Sequence, residues 1–361
     1  MRTTVNFIKN LNIKLFLITC LVSPRLWADP LEDQSNFESD LEVGVALNLV
    51  SQPTAMRGAS VFEIPNLKAS FEVTRAEGNS FQLVLRGTDN RDATSKKFQV
   101  EAQKAAVILK SFFSNSFWIE AGLIGNPWNE VSEELWDFQF WGDASFPALR
   151  RYKYLSTSEL GFNAHWNINE RFGLSLSAMN GESAVEAEKG PKKDIQLILW
   201  FEDETWQASA GYLQGAYDDD DTEISKKERQ LFRVAYAWEP IQAAIELYKT
   251  RDSSRAIKAL GIAEGLDLSS IINQSIEGQG GSFTLRWSFN DFYSLRLRAD
   301  QLNPATKLDA SDVKSQIVAI SYEPARGTNF SLIYLRTDLG PNHSLISKTS
   351  EKAMIALGMH F

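Results

Sequence analysis

Apolar and polar residues alternate one by one along most of the chain from residue 41 onward. Residues 41–49 (LEVGVALNL) have an apolar residue at every second position, and residues 172–178 (FGLSLSA) and 283–289 (FTLRWSF) repeat the pattern. Side chains of a β-strand point alternately to its two faces, so a strand with one apolar face has this period. The sequence therefore predicts a β protein whose strands each have one apolar and one polar face.

We predict sixteen strands of about ten residues, the length with which a tilted strand crosses a bilayer. They cover residues 41–51, 66–75, 79–88, 96–112, 116–124, 157–168, 171–179, 193–201, 205–215, 228–238, 241–250, 278–289, 293–302, 312–323, 328–337 and 351–361. Short and long connections alternate between them, and outer-membrane barrels combine that alternation with an even strand count. The predicted fold is an all-β transmembrane antiparallel β-barrel of about 16 strands over residues 41–361.

Aromatic residues gather beside the short connections. A ring of aromatic side chains at one rim of a barrel is typical of a membrane interface. The residues concerned are Phe81, Phe117, Trp166, Phe172, Phe201, Trp206, Trp238, Phe289, Tyr293, Tyr322 and Phe330. The last strand ends on Phe361 and so resembles the terminal strand of bacterial outer-membrane proteins. That resemblance implies that the outer-membrane assembly machinery binds Phe361.

The first 28 residues are identified as a signal peptide. They begin with a positively charged stretch, continue with the apolar run 15–22 (LFLITCLV) and end on Ala28, after which we expect cleavage. A short acidic N-terminal segment, residues 29–40, precedes the barrel. Cys20 is the only cysteine and lies in the signal peptide, so the exported chain is expected to contain no disulfide.

Composition excludes two other classes of protein. Hydrophobic residues make up 43% of the chain, charged residues 23%, and the mean hydropathy is −0.24, which is too polar for a helical membrane protein. A barrel wall accounts for these values, because every second residue of each strand faces water. The formal net charge of −9 makes the chain a poor binder of nucleic acid.

Short turns fix which residues face each other across neighbouring strands. Around residues 239–240, Trp238 faces Ile241, which places Arg233 opposite Glu246 on the other face. Around residues 290–292 the same reasoning places Arg286 opposite Arg296, with Arg298 two positions further along. Two opposed arginines repel unless an anion, water or an acidic group lies between them. These arginines either belong to a solvated wall or act on solutes in the lumen.

Two strands do not fit a simple two-faced pattern. In residues 312–323 and 328–337 either choice of face leaves apolar residues such as Ile317 and Ile333 inside. We expect a bulge or a loop packed against them.

The longest connection, residues 125–156, contains eight aromatic residues, more than a solvated loop would carry. Sixteen strands with an oversized third loop resemble the Gram-negative porins, in which that loop folds into the lumen and narrows the channel. The stretches IEAGLIGNPW (119–128) and TSELGF (157–162) loosely resemble phosphate-selective-type porins. An outer lid or adhesive surface is the alternative for this loop, and Arg150, Arg151 and Lys153 leave an anion-binding loop open.

The porin resemblance implies a constriction between charged groups. Its loop acids are Glu130, Glu133, Glu134 and Asp137, with Asp143 nearby, and the wall bases facing them are Arg233, Arg286, Arg296 and Arg298. It further implies a homotrimer in the cell outer membrane, in contact with the lipid bilayer and with lipopolysaccharide.

The expected function is passive diffusion of small hydrophilic solutes and ions through a water-filled porin channel. The alternatives are an anion- or phosphate-selective channel, an outer-membrane barrel enzyme and an adhesin. His165 and Ser175 face each other across the turn 169–171 and are the one candidate pair for an enzyme; we expect them to be a solvated lumen pair. Motifs for a metal, a phosphate loop or a nucleophile elbow do not occur, so we expect no cofactor and no enzymatic activity.

Overall fold

The computed structural model describes residues 37–52, 59–75, 78–91, 96–114, 116–134, 146–181, 193–216, 226–254, 257, 274–308, 311–325, 327–341, 343 and 349–360. The proposed signal peptide, most of the acidic segment and Phe361 lie outside these residues. Within the described residues, sixteen strands follow each other, with two helices between the fifth and the sixth. The first eight strands are β1 (Phe37–Gln52), β2 (Ala59–Arg75), β3 (Ser80–Arg91), β4 (Lys96–Ser114), β5 (Phe117–Gly125), β6 (Ser158–Asn167), β7 (Phe172–Met179) and β8 (Asp194–Glu202).

The second eight strands have the same up-and-down order. They are β9 (Trp206–Ala216), β10 (Lys226–Trp238), β11 (Ile241–Ser253), β12 (Ser275–Ser288), β13 (Tyr293–Asn303), β14 (Val313–Ala325), β15 (Thr328–Leu339) and β16 (Thr349–His360). Each strand pairs with its sequence neighbours, and β1 pairs antiparallel with β16, from Gly44 opposite His360 to Ser51 opposite Ala353. The sheet is therefore a closed antiparallel barrel, which leaves no unpaired strand edge.

The two faces of the wall differ as the alternation predicts. Large apolar side chains are exposed on the outside, among them Leu199, Phe232, Ile245, Phe283, Ile320, Leu332 and Ile355. Small polar and charged side chains are buried on the inside, among them Ser175, Ser177, Arg233, Glu246, Arg296, Arg298 and Asp300. The aromatic residues named above lie on the outer face beside the short turns. All are exposed except Phe117 and Phe201, which are half-buried.

All sixteen predicted strands and both predicted registers are confirmed. Arg233 lies opposite Glu246, and Arg286 lies opposite Arg296. Several strands are longer than predicted: β2 begins at Ala59 rather than residue 66, β1 at Phe37 rather than 41, and β12 at Ser275 rather than 278. β2 runs through Pro65, whose fixed φ is compatible with extended backbone.

An apolar patch on the inner wall explains the irregular pattern of β14 and β15. Ile317, Ala319, Ile333, Met354 and Ala356 are buried together there. Both isoleucines therefore do point inward, as the sequence indicated, and they pack on apolar neighbours from β16.

None of the helices within the described residues is long and apolar enough to cross a membrane.

Candidate functional site

The start of the long connection, up to residue 134, folds into the barrel as a helix that the sequence did not predict. This helix, α1 (Pro127–Glu134), begins where the side chain of Asn126 accepts a hydrogen bond from the backbone N–H of Trp128 at 3.1 Å. Trp128 is fully buried, and its ring lies on the inner wall over Gly211 of β9. Ser132 donates to Glu246 Oε2 of β11 at 2.7 Å. The described part of the loop thus packs against the inner wall, as expected from the porin resemblance.

The second half of the loop is anchored on β13. A short helix, α2 (Ala148–Arg151), buries Leu149 completely, and Arg151 Nη2 lies 2.7 Å from Asp300 Oδ2. The same carboxylate accepts a hydrogen bond from Arg298 Nε at 2.8 Å. Asp300 therefore joins a wall arginine to a loop arginine, with its own side chain fully shielded from solvent.

Phe146 connects this anchor to a distant part of the wall. Its carbonyl oxygen accepts a hydrogen bond from Arg298 Nη1 of β13 at 2.6 Å. Its ring lies 4.3 Å from the guanidinium carbon of Arg86 on β3 and 3.7 Å from that of Arg150. Cation–π contacts of this kind are strongest away from solvent, and Arg86 is buried. Because β3 and β13 are six strands apart around the barrel, the loop spans the lumen at this level.

The end of the loop is anchored at a buried ion pair that sequence analysis missed. Arg229 and Asp252 form two hydrogen bonds, Nη1 to Oδ2 at 3.0 Å and Nη2 to Oδ1 at 2.7 Å, and both side chains are fully buried. Arg229 Nε donates to the carbonyl of Tyr154 at 3.1 Å. Burial raises the pKa of the Tyr154 hydroxyl well above its ordinary value, so this group stays neutral beside the pair. Extending the register of the turn at 239–240 places Thr250 opposite Arg229, with Asp252 two positions further along the same face.

The opposed arginines have an acidic group between them. Arg296 Nη2 lies 2.8 Å from Glu323 Oε1 of β14, and Arg286 Nη2 lies 4.0 Å from the same oxygen. Arg296 is almost completely buried, whereas the side chain of Arg286 is 28% exposed and that of Glu323 35%. Both side chains are therefore accessible to solvent on the inner wall.

The expected pairing of loop acids with wall arginines needs correction. Glu130 lies 3.4 Å from Lys104 of β4, and Lys104 lies 2.7 Å from Glu120 of β5. Glu130 projects toward β4 because α1 runs along the wall from the end of β5. The arginines of β12 and β13 have acids from the wall itself as partners.

The remaining loop acids lie wholly or partly outside the described structure. The backbone of Glu133 and Glu134 belongs to α1, and nothing is described of their side chains. Asp137 and Asp143 lie outside the described residues.

His165 and Ser175 lie opposite each other on β6 and β7, as the sequence predicted. Both bond to Asn163: its Nδ2 donates to His165 Nε2 at 2.6 Å, and its Oδ1 accepts from Ser175 Oγ at 2.5 Å. The described contacts thus join His165 and Ser175 through the amide of Asn163, whereas a base that activates a nucleophile bonds to it directly.

The contact of Trp128 with Gly211 yields a first prediction. A Cβ atom on Gly211 would lie 2.9 Å from Trp128 Cε3, closer than real contacts allow. We expect Gly211→Val to displace Trp128 and α1 and to cost about 1–3 kcal/mol, with a red shift of tryptophan emission. Ala210→Val, which adds bulk at an exposed position on the outer face, is the control. An unshifted emission spectrum for Gly211→Val would contradict the packing of α1.

Comparisons with known proteins support the fold. Neither a protein-family profile nor a curated protein sequence matches the chain. Solved structures do match, among them the OmpF of Salmonella typhi in complex with daunomycin, with a TM-score of 0.66, 12% identity, and coverage of 90% of this chain and 97% of that one. The anion-selective porin from Comamonas acidovorans has a TM-score of 0.64 and 11% identity, covering 90% and 100%. The outer membrane channel DcaP of Acinetobacter baumannii has a TM-score of 0.64 and 8% identity, covering 91% and 99%. The chain has the fold of Gram-negative outer-membrane porins.

Proposed function

We propose that this protein is an integral protein of the bacterial outer membrane that forms a water-filled channel for passive diffusion of small hydrophilic solutes and ions. The observation that carries the proposal is the division of the wall: a closed barrel of sixteen strands is apolar outside and polar inside. Such a wall suits lipid on one side and water on the other. The loop that enters the lumen leaves a narrowed path, in which charges act on ions at short range.

Conductance across a planar lipid bilayer tests this function. Addition of the folded protein should produce stepwise currents that persist in simple salt without any specific substrate. A salt gradient across the bilayer then gives the reversal potential, which reports ion selectivity. Folded barrel that inserts without raising the conductance would contradict the channel.

An anion-selective channel is the second candidate, and the arginines favour it. We assign Arg233, Arg286, Arg296 and Arg298 to the wall of the path, together with Arg150 and Arg151 from the loop. Glu130, Glu133, Glu134 and Asp137 are the proposed acids of the loop. One of the structures similar in fold is described as an anion-selective porin; that likeness supports the candidate only at the level of the fold.

We expect replacement of Arg286 and Arg296 by Gln to shift the selectivity toward cations, because Glu323 then remains without its two guanidinium neighbours. The Coulomb interaction energy between a unit charge and an ion about 4 Å away is about 1 kcal/mol in water. The permeability ratio of chloride to potassium should therefore fall roughly fivefold, measured from the reversal potential. Arg171→Gln, which removes an exposed arginine of the turn after β6, is the control. If the double variant folds and keeps the parental reversal potential, neither arginine lines the path of the ions.

Export and assembly complete the proposal. Residues 1–28 act as the cleaved signal peptide, and Phe361 is read by the outer-membrane assembly machinery. The assembled form is a homotrimer in contact with lipopolysaccharide. The circle of aromatic side chains around the short-turn end of the barrel supports a location in the outer membrane, because aromatic side chains prefer the interface of a membrane.

A barrel enzyme and an adhesin are the rival functions. Asn163 between His165 and Ser175 weighs against the enzyme. Hydrolysis of phospholipid or peptide that is lost in His165→Ala would favour it over the channel.

A further inference from the structure

A small cavity lies on the inner wall beneath α1, near the short-turn end of β6 to β9. Its volume is about 170 Å³, enough for a molecule of a few non-hydrogen atoms. The residues that matter for its chemistry are Glu130 of α1 and His165, Trp200, Glu202, Gln207 and Ser209 of the wall. The channel proposed above gives this cavity no role.

Aromatic rings form one side of the cavity. Trp200 lies opposite Gly173 of β7, and a Cβ atom there would lie 2.2 Å from Trp200 Cζ2. The glycine therefore lets the indole ring lie flat on the wall. His165 stands edge-on to Trp200, with 6.3 Å between ring centroids, and is itself stacked on Trp118 at 4.7 Å. The position of the indole ring is thus fixed by Gly173 beneath its face and by His165 at its edge.

Carboxylates form the other side. Glu202 is exposed at the rim and accepts a hydrogen bond from Gln207 Nε2 at 3.2 Å. Glu130 of α1 and Glu120 of β5 both contact the ammonium group of Lys104. Glu202 thus has a neutral amide as its hydrogen-bond partner at the rim, and it is the carboxylate that a cation in the cavity could pair with.

The wall arginine opposite the cavity residue Ser209 has an acidic neighbour of its own. Arg233 lies opposite Ser209 on one side and opposite Glu246 on the other. It does not line the cavity.

We infer that this cavity binds a small organic cation, an ammonium group with methyl or short alkyl substituents. A cation is attracted by the face of an indole ring, and tryptophan is the best aromatic partner for it. Nearby carboxylates add Coulomb attraction, whereas the apolar part of such a ligand suits the aromatic side. A cavity with an apolar lining and few polar groups is the usual form of a small-molecule site. Binding here does not require conductance.

Choline is the probe, and the folded protein in detergent is titrated by calorimetry and by tryptophan emission. The titration is done at about pH 7.5, above the ordinary pKa of histidine. We expect saturable binding that Trp200→Leu weakens at least about tenfold and Glu202→Gln about fivefold. The matched controls are Trp206→Leu, an exposed tryptophan of the outer face, and Glu204→Gln, an exposed acid of the same turn. Both controls should bind choline like the parent.

Glucose, which is neutral and has no ammonium group, separates a cation site from a site for any small polar solute. Absence of choline binding, equal binding of glucose, or equal losses in the control variants would each overturn the inference. Glu202 is exposed, so its variant tests the site even if Trp200→Leu does not fold. Heat-modifiable migration in gels confirms the barrel in each variant.

Discussion

Asp252→Ala is expected to lower the free energy of unfolding by about 3–5 kcal/mol, the cost of removing one partner from a buried ion pair. The guanidinium of Arg229 loses the carboxylate that accepts two of its hydrogen bonds, in a place where both side chains are shielded from water. Unfolding by urea in detergent micelles, followed by tryptophan emission, measures the change.

Two further variants show whether the cost comes from losing any ion pair or from leaving a buried charge without its partner. Asp338→Ala removes a carboxylate that is exposed on the outer face and paired with Arg336, and it should cost at most about 1 kcal/mol. The double variant Arg229→Met with Asp252→Leu replaces the pair by apolar side chains of similar size, and its stability should lie close to that of the parent. If Asp252→Ala costs no more than Asp338→Ala, the pair is not buried as described.

Asp300→Ala is expected to release the loop from β13 and to raise the single-channel conductance. Asp300 is the carboxylate between Arg298 and Arg151, and its removal leaves two buried guanidinium groups repelling each other. We expect a loss of stability of about 3–5 kcal/mol. Detachment of α2 should also weaken the contact between the Phe146 carbonyl and Arg298, which holds the loop on β13, while the contact of Phe146 with Arg86 remains. Recordings in planar bilayers measure the conductance directly.

Asp300→Asn is the matched variant, because it keeps the size of the side chain and removes only its charge. It should give a smaller increase in conductance than Asp300→Ala, since the amide oxygen still accepts one hydrogen bond. An unchanged conductance in a folded Asp300→Ala barrel would show that this anchor does not hold the loop in the path.

The strand pattern and the registers next to short turns were readable from the sequence. Alternation has a period of two, and a tight turn leaves few choices of register, so the opposition of Arg286 and Arg296 followed from the turn alone. The same register, extended further, contained the neighbourhood of Arg229 and Asp252. The register gave no reason to expect that the loop would cover Arg229 and Asp252 and bury the pair.

The contacts of the long loop were not readable in the same way. Glu130 could be assigned to a constriction only by resemblance, because no register links a loop to the wall. Its actual partner, Lys104, depends on the direction in which α1 leaves β5, and hence on Trp128 finding space over Gly211. Packing of this kind depends on volumes in three dimensions rather than on spacing along the chain.

The closure of β1 on β16 has a consequence for how the wall forms and opens. Fifteen of the strand pairings join sequence neighbours, but this one joins segments roughly 300 residues apart, and closing such a loop costs about 3 kcal/mol more chain entropy than closing a turn of about six residues. Pairings between neighbours can form early, whereas the seam forms only after the rest of the sheet has brought its edges together. The β1–β16 pairing is accordingly the last to form during folding. It is also the first pairing that we expect to break when the barrel opens.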